Sequence, residues 1–226
     1  MKQKTDNLIP FGYCVVRHTK ERVLFPAACP SDYFSISGCL CEGVIPDWDC
    51  ISNLNVEDFS EKWKLGRESA EALFRFNSEH AAGINYMFLL YPDFESARYV
   101  KRELFAERDD VFLVGVGSTN PEALQNPDVR RASPFPEGGE LLGFDVYNYG
   151  CAGKPDFTNG NWSGFGCSIW CIDSGNEIRK RSGTAQNRFG LCETLEDAER
   201  VADLINKEKL GEPCEYFPLA LIRFNR

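Results

Sequence analysis

Residues 86–116 read YMFLLYPDFESARYVKRELFAERDDVFLVGV and contain three segments with different hydrophobic periods. The apolar run at 86–90 predicts a buried strand. Asp93 is placed to cap a helix, whose apolar face recurs every three or four residues as far as Leu104. A β-branched and aromatic run at 111–116 predicts a second strand. The order strand–helix–strand is the pattern of a βαβ crossover connection.

A second helix near the C-terminus repeats this pattern. Thr194 is placed to cap it, and Asp197 follows three residues later, close to a capping box. The two helices align at one offset, which pairs Asp93 with Thr194 and Val100 with Val201. The alignment predicts a weak internal duplication of a helix–strand unit. Two amphipathic helices that pack on one sheet also converge on this pattern, so both explanations stay open.

Further strands and helices are predicted outside these two units. Strands are predicted at 11–17, 23–25, 141–147, 164–172 and 215–224, and helices from residue 56 and over 67–80. The predicted fold class is α+β, a mixed β-sheet with amphipathic helices packed on it. We expect a single domain over 1–226, whose weak boundary would lie in the Pro-, Asn-, Ser- and Gly-rich residues 118–139.

Charge limits the classes of partner. The 226 residues include 25 Lys and Arg against 34 Asp and Glu, a net charge of −9. Such a surface repels nucleic-acid phosphates and anionic lipid headgroups, so we expect neither nucleic acid nor membrane as a partner. It favours a basic protein partner, although solubility alone also explains the charge. Since no apolar run approaches a membrane span and no secretory signal opens the chain, we expect a cytoplasmic protein.

Ten cysteines are present, and in a reducing compartment they are thiols or metal ligands rather than disulfides. Four share one loop-rich stretch: Cys29, Cys39, Cys41 and Cys50. Four thiolates can close a tetrahedral zinc site, but this stretch lacks the paired C-x₂-C knuckles of zinc ribbons. A second set falls mostly in predicted strands: Cys167, Cys171, Cys192 and Cys214. Buried free cysteine is a common core residue, so free thiols are favoured and no metal ligand is assigned.

Catalytic and cofactor motifs are weak. The histidines His18 and His80 end a predicted strand and a predicted helix, and no G-x-S-x-G motif accompanies them. Residues 115–120, GVGSTN, follow a strand like a phosphate loop. They lack the third glycine of the dinucleotide fingerprint and the Gly-Lys-Ser/Thr of a P-loop. The sequence therefore assigns no catalytic residue and no cofactor.

Two tryptophans are candidates for a recognition surface, because Trp is enriched at binding hot spots. Trp162 belongs to the polar loop at 151–165, where a binding role and core packing are equally supported. Trp170 lies inside a predicted strand, which favours a core position.

Six segments of the C-terminal half occur in order: DVFLVGVG, GGELLGFDVYN, GCSIWC, NRFGLC, ETLEDAERVADLINKE and EPCEYFPLALIRF. Together with Pro46-Asp47-Trp48 they resemble a scattered family of uncharacterised bacterial proteins, over about two thirds of the chain. The compact Ser-Trp-x-Cys of that family is interrupted here, as residues 168–171, SIWC. The family implies no catalytic residue. Its members are similar in style to the immunity proteins that protect bacteria from toxins.

Two functions from different classes follow. The first is a non-catalytic protein-binding module of immunity or inhibitor type, which acts through its acidic surface and the loop at 151–165. The alternative is an enzyme or small-ligand-binding protein, whose site is assembled from residues distant in sequence. A polar pocket would favour the alternative, and an acidic face would favour the binding module.

Overall fold

A computed structural model describes residues 7–17, 44–45, 56–80, 90–120, 132–151, 175–187, 189, 191–210 and 214–225. The predicted strands at 23–25 and 164–172 lie outside these ranges, as does most of the apolar run at 86–90. None of the helices in the described ranges combines the length and apolar character that a membrane crossing requires.

The described residues form five strands and five helices. In chain order these are β1 Ile9–Arg17, β2 Val44–Ile45, α1 Val56–Trp63, α2 Arg67–His80, α3 Phe94–Leu104, β3 Val111–Ser118, β4 Glu140–Cys151, α4 Gly175–Ser182, α5 Leu195–Glu208 and β5 Cys214–Phe224. Helix α4 was not predicted, because Ile178 is the one large apolar residue in its sequence GNEIRKRS. A single apolar residue gives no helical period to detect.

The strands form one sheet in the order β2-β1-β3-β5-β4, with strands from both sides of residues 118–139. The α+β class is confirmed. The sheet, however, is antiparallel in every pair between described strands, where the sequence predicted a mixed sheet.

The reason for this difference lies at Tyr91. This residue forms an antiparallel bridge to Tyr13 in β1, and β3 also runs antiparallel to β1. The segment at Tyr91 and strand β3 therefore run in the same direction, and α3 is the crossover between them. Because β1 lies between the two parallel segments, no adjacent pair is parallel.

The second half of the chain repeats this arrangement. Cys192 forms an antiparallel bridge to Phe144 in β4, α5 follows, and β5 pairs antiparallel with β4. The bridges match in detail: Tyr13 and Tyr91 exchange both backbone hydrogen bonds at 2.9 and 2.7 Å, and Phe144 and Cys192 exchange theirs at 2.9 Å each. The helix alignment seen in the sequence therefore extends to the strands and their pairing.

An approximate two-fold axis relates the two halves. Gly12 of β1 pairs with Val116 of β3, and Gly143 of β4 pairs with Leu221 of β5. Val116 and Leu221 pair with each other across the centre of the sheet. Since β3 and β5 are antiparallel, the axis passes between Val116 and Leu221. We name the two halves the first repeat (β1, α2, α3, β3) and the second repeat (β4, α4, α5, β5).

Helices α3 and α5 cover the same face of the sheet. Ala220, Ile222 and Phe224 alternate onto one face of β5. Ala220 packs in the cluster that contains α5 residues, whereas Ile222 and Phe224 pack in the cluster that contains α3 residues. Val116 and Leu221 on the opposite face are also fully buried, which explains why the central strands are apolar on both faces.

Candidate functional site

Most of the residues that the sequence singled out lie outside the described ranges. These are His18, the four cysteines Cys29, Cys39, Cys41 and Cys50, the pair Cys167 and Cys171, and both Trp162 and Trp170. The choice between zinc and free thiols, and the role of the two tryptophans, stay predictions. Within the described residues no group of three or more His, Cys, Asp or Glu could hold a metal ion.

Two cysteines that the structure describes are buried free thiols, Cys14 and Cys192. Burial raises the pKa of the Cys14 thiol far above its ordinary value. Burial, followed by the negative charges of Asp145 and Asp197, raises the pKa of Cys192 to about 12. Both thiols are therefore protonated near neutral pH, and a protonated thiol is neither a good nucleophile nor a metal ligand.

The glycines of the segment 115–120 have a packing explanation. A Cβ atom on Gly115 or Gly117 would lie 2.8–2.9 Å from ring carbons of Phe135. The aromatic ring lies against bare backbone at both positions, so only glycine leaves room for it. Both residues belong to β3 and pair with neighbouring strands. The described residues thus give this segment a structural role.

An acidic stripe lies along the exposed face of α5. Glu196, Glu199 and Asp203 follow one another at helical spacing and are all exposed. None of the three forms an ion pair with a described residue. The positive N-terminal end of the helix dipole stabilises Glu196 in the first turn. Glu199 and Asp203 lie beyond that turn, so their charge has no such structural explanation.

The equivalent positions on α3 carry charges of both signs. At the common offset Glu196, Glu199 and Asp203 correspond to Glu95, Arg98 and Arg102. Glu95 pairs with Arg98, and Arg102 pairs with the neighbouring Glu103. The two helices occupy equivalent places in the fold, yet the three positions carry one acidic and two basic residues on α3 and three acidic residues on α5. The fold itself therefore does not require the acidic stripe.

A hollow of about 430 Å³ opens between α2 and α3. Phe76 contributes the α2 wall, and the α3 side carries Glu95, Arg98, Tyr99 and Arg102. These four α3 positions follow the i, i+3, i+4, i+7 spacing of one helix face. We call this set, with Asp93 and Ser96 at its N-terminal end, the α2–α3 hollow.

Three aromatic rings form a ladder beside the hollow. The His80 ring stacks on Phe76 at a centroid distance of 4.1 Å, and Phe76 stacks on Tyr99 at 4.9 Å. Tyr99 is 43% exposed, a high value for a large aromatic side chain. His80, which the sequence considered for catalysis, is exposed and has its Nδ1 within 2.8 Å of the Phe76 carbonyl oxygen. Its position is at the end of the ladder, with no nucleophile beside it among its described contacts.

A buried polar pair lies next to the ladder. The Tyr91 hydroxyl donates a hydrogen bond to Oδ1 of Asn77, and both residues are fully buried. The Asn77 Nδ2 atom has no hydrogen-bond partner among the described residues. The equivalent residue in the second repeat is the apolar Ile178, which is also fully buried. A polar residue at this place is therefore not a requirement of the fold.

Sequence reasoning missed both the hollow and the stripe. The signal for the stripe was available, because three acidic residues at helical spacing stand in the α5 sequence. The hollow had no local signal, since its rings come from two helices whose mutual packing the sequence does not state. Comparisons of the chain with protein-family models, with curated proteins and with solved structures gave no match.

Proposed function

We propose that the chain is a non-catalytic protein-binding module of immunity or inhibitor type, whose acidic surface docks a basic partner. The observation that carries the proposal is the acidic stripe on α5. Three carboxylates that form no ion pair with a described residue increase the local negative potential. This potential steers a basic partner towards this face and stabilises the complex once it has formed. The net charge of −9 acts in the same direction at longer range.

The contrast between the repeats supports this choice of surface. Packing, capping and the helix dipole act on α3 and α5 alike, and α3 carries charges of both signs at the same positions, each in an ion pair. Unbalanced like charges along one helix face destabilise it slightly through repulsion. A feature that destabilises one helix and is absent from the equivalent helix is better explained by binding than by folding.

The test compares two variants with the same change of charge. The first, Glu196→Gln/Glu199→Gln/Asp203→Asn, neutralises the stripe. The second, Glu61→Gln/Glu68→Gln/Glu79→Gln, removes three exposed acidic charges from α1 and α2. Each protein is tagged, purified from its native host at low salt and measured by native mass spectrometry.

We expect the unchanged chain to retain a basic polypeptide at a fixed stoichiometry, in addition to its own 25.6 kDa. The stripe variant should lose this partner, and the α1–α2 variant should keep it. Equal loss from both variants would show that only net charge matters and would reject the stripe as the docking face. The bare monomer mass for the unchanged chain would count against the binding module itself.

The alternative, a small-ligand-binding protein or enzyme, is favoured by one observation, the α2–α3 hollow. It brings two arginines, two carboxylates and two aromatic rings to one opening, from helices that are separate in sequence. Ligand sites combine apolar surface with a few convergent polar groups in this way.

A further inference from the structure

The aromatic ladder belongs to one repeat only. At the common offset Phe76, His80 and Tyr99 correspond to the charged residues Glu177, Arg181 and Arg200. In the second repeat Arg181 pairs with Glu177 and Glu208, and Arg200 pairs with Asp197, as expected of a solvated helix surface. The second repeat packs its helices without rings at these places. Phe76 contributes to the core, but the fold does not require the exposed ring of Tyr99.

The charges of the α2–α3 hollow select the class of ligand. Asp93 and Glu95 lie at its N-terminal end, and Arg98 and Arg102 follow along α3, so the lining has no net charge. An anion would meet the two carboxylates and the field of a chain with a net charge of −9. A cation would meet the two guanidinium groups. A zwitterion, which carries one positive and one negative charge, can pair with the carboxylates and with the guanidinium groups.

The Glu95–Arg98 ion pair is available to such a molecule. Its side chains are 67% and 38% exposed, and exposed ion pairs contribute little to stability. The three-residue separation places the two Cα atoms about 4.5 Å apart along the helix axis, while the two charged groups are in direct contact in the ion pair. When this ion pair opens, a ligand carboxylate can bind Arg98 while its ammonium group binds Glu95. Tyr99 lies between Arg98 and Arg102 on the same helix face, where its ring can stack on an aromatic side chain.

We propose that the α2–α3 hollow binds a small aromatic zwitterion, of which an aromatic α-amino acid is the simplest example. The aromatic ring of the ligand extends the stack His80–Phe76–Tyr99, and its two charges bind Glu95 and Arg98. Arg102 adds a second guanidinium group for the carboxylate. This inference builds on the alternative function and is independent of the acidic stripe on α5.

The experiment is a titration of the ¹⁵N-labelled chain, followed by amide chemical shifts. The probes are L-tryptophan, indole-3-propionate, which lacks the ammonium group, and tryptamine, which lacks the carboxylate. We expect saturable shifts at residues 95–102 with L-tryptophan, with a Kd on the order of 1 mM for a ligand of this size. The equivalent residues 196–203 should not shift, which provides a control within the same molecule.

Two variants and their control complete the test. Tyr99→Ala and Arg98→Gln should each weaken L-tryptophan binding at least fivefold, and Arg200→Ala in the second repeat should leave it unchanged. Tyr99 and Arg98 are partly exposed surface residues, so both variants should fold. Absence of saturable shifts with L-tryptophan, or equal affinity for either analogue, would overturn the proposal. In the native mass spectrometry experiment, Tyr99→Ala should keep the basic partner. Failure of ligand binding at the α2–α3 hollow can therefore be distinguished from failure of the acidic stripe.

Discussion

Gly12 and Gly143 occupy equivalent places in the two repeats, each directly before the residue that bridges to the neighbouring segment. Both have positive φ, +154° and +141°, and the strand register is irregular at both. A Cβ on Gly12 would lie 2.6 Å from Cβ of Leu90, and a Cβ on Gly143 would lie 2.7 Å from the carbonyl oxygen of Cys192. The same glycine backbone conformation occurs in both repeats because the same kind of bridge forms in both.

Alanine at either glycine should therefore be costly. We expect Gly12→Ala and Gly143→Ala each to lower the free energy of unfolding by about 2–4 kcal/mol, through backbone strain and steric overlap with the bridging segment. Gly66→Ala is the control, because Gly66 has ordinary φ and no atom within 4 Å of an added Cβ. Urea unfolding followed by circular dichroism measures all three. A change below 0.5 kcal/mol at either strand glycine would contradict the assigned close approach.

The two helix caps should contribute similar amounts. Asp93 accepts a hydrogen bond from the backbone N–H of Ser96 at 2.8 Å, and Thr194 accepts one from the N–H of Asp197 at 3.1 Å. Asp93→Ala and Thr194→Ala should each destabilise the chain by about 1 kcal/mol, because a buried or half-buried N–H loses its acceptor. The caps belong to different helices, so the double variant should show the sum of both effects.

Thr194→Ser is the matched control for the second cap, since serine keeps the hydroxyl acceptor. It should preserve most of the stability that Thr194→Ala loses. Thermal unfolding of the four variants distinguishes the outcomes. A full loss in Thr194→Ser would show that the threonine methyl group, not the cap, carries the effect.

These caps also mark what the sequence could predict. Helix α2 was predicted with its observed bounds, and both caps were predicted, because capping and apolar period are local properties. Strand order was not predicted, since the bridges of Tyr91 and Cys192 to β1 and β4 join segments far apart in the chain. The α2–α3 hollow was missed for the same reason. Its ring stack depends on how two helices pack, which no local pattern states.

The buried pair Asn77–Tyr91 should show strong coupling. Asn77→Leu leaves the Tyr91 hydroxyl without this acceptor, and Tyr91→Phe leaves Oδ1 of Asn77 without this donor. Each single change should destabilise by about 1–3 kcal/mol, because a buried polar group loses its partner. The double variant removes both polar groups and resembles the second repeat, where Ile178 is buried. It should be less destabilised than the sum of the single variants, by at least about 1 kcal/mol.

A double-mutant cycle from urea unfolding provides this measurement. Asn77→Leu also removes the Nδ2 group that has no partner among the described residues, which lowers the cost of that substitution. Exact additivity of the two single changes would show that the hydrogen bond between Asn77 and Tyr91 contributes nothing to stability.

Alkaline pH should destabilise the fold through Cys192. Burial raises the pKa of its thiol from the ordinary 9.0 to about 12 in the folded chain. The unfolded chain loses this proton near pH 9 while the folded chain keeps it. The stabilising contribution is therefore complete below pH 9 and is lost as pH rises from about 9 to about 12. Over that window the loss of this one proton from the unfolded chain lowers the free energy of unfolding by about 1.4 kcal/mol for each pH unit.

Cys192→Ala should remove this part of the pH dependence. Unfolding in urea with reducing agent, at pH 8.0, 9.5 and 10.5, should give a slope that is shallower by about 1.4 kcal/mol per pH unit above pH 9. Thr184→Ala is the control: Thr184 is buried and does not titrate, so its loss should lower stability equally at all three pH values. The same slope in Cys192→Ala and in the unchanged chain would mean that the Cys192 thiol ionises alike in the folded and unfolded states. The bridge to Phe144 would then not keep Cys192 away from solvent.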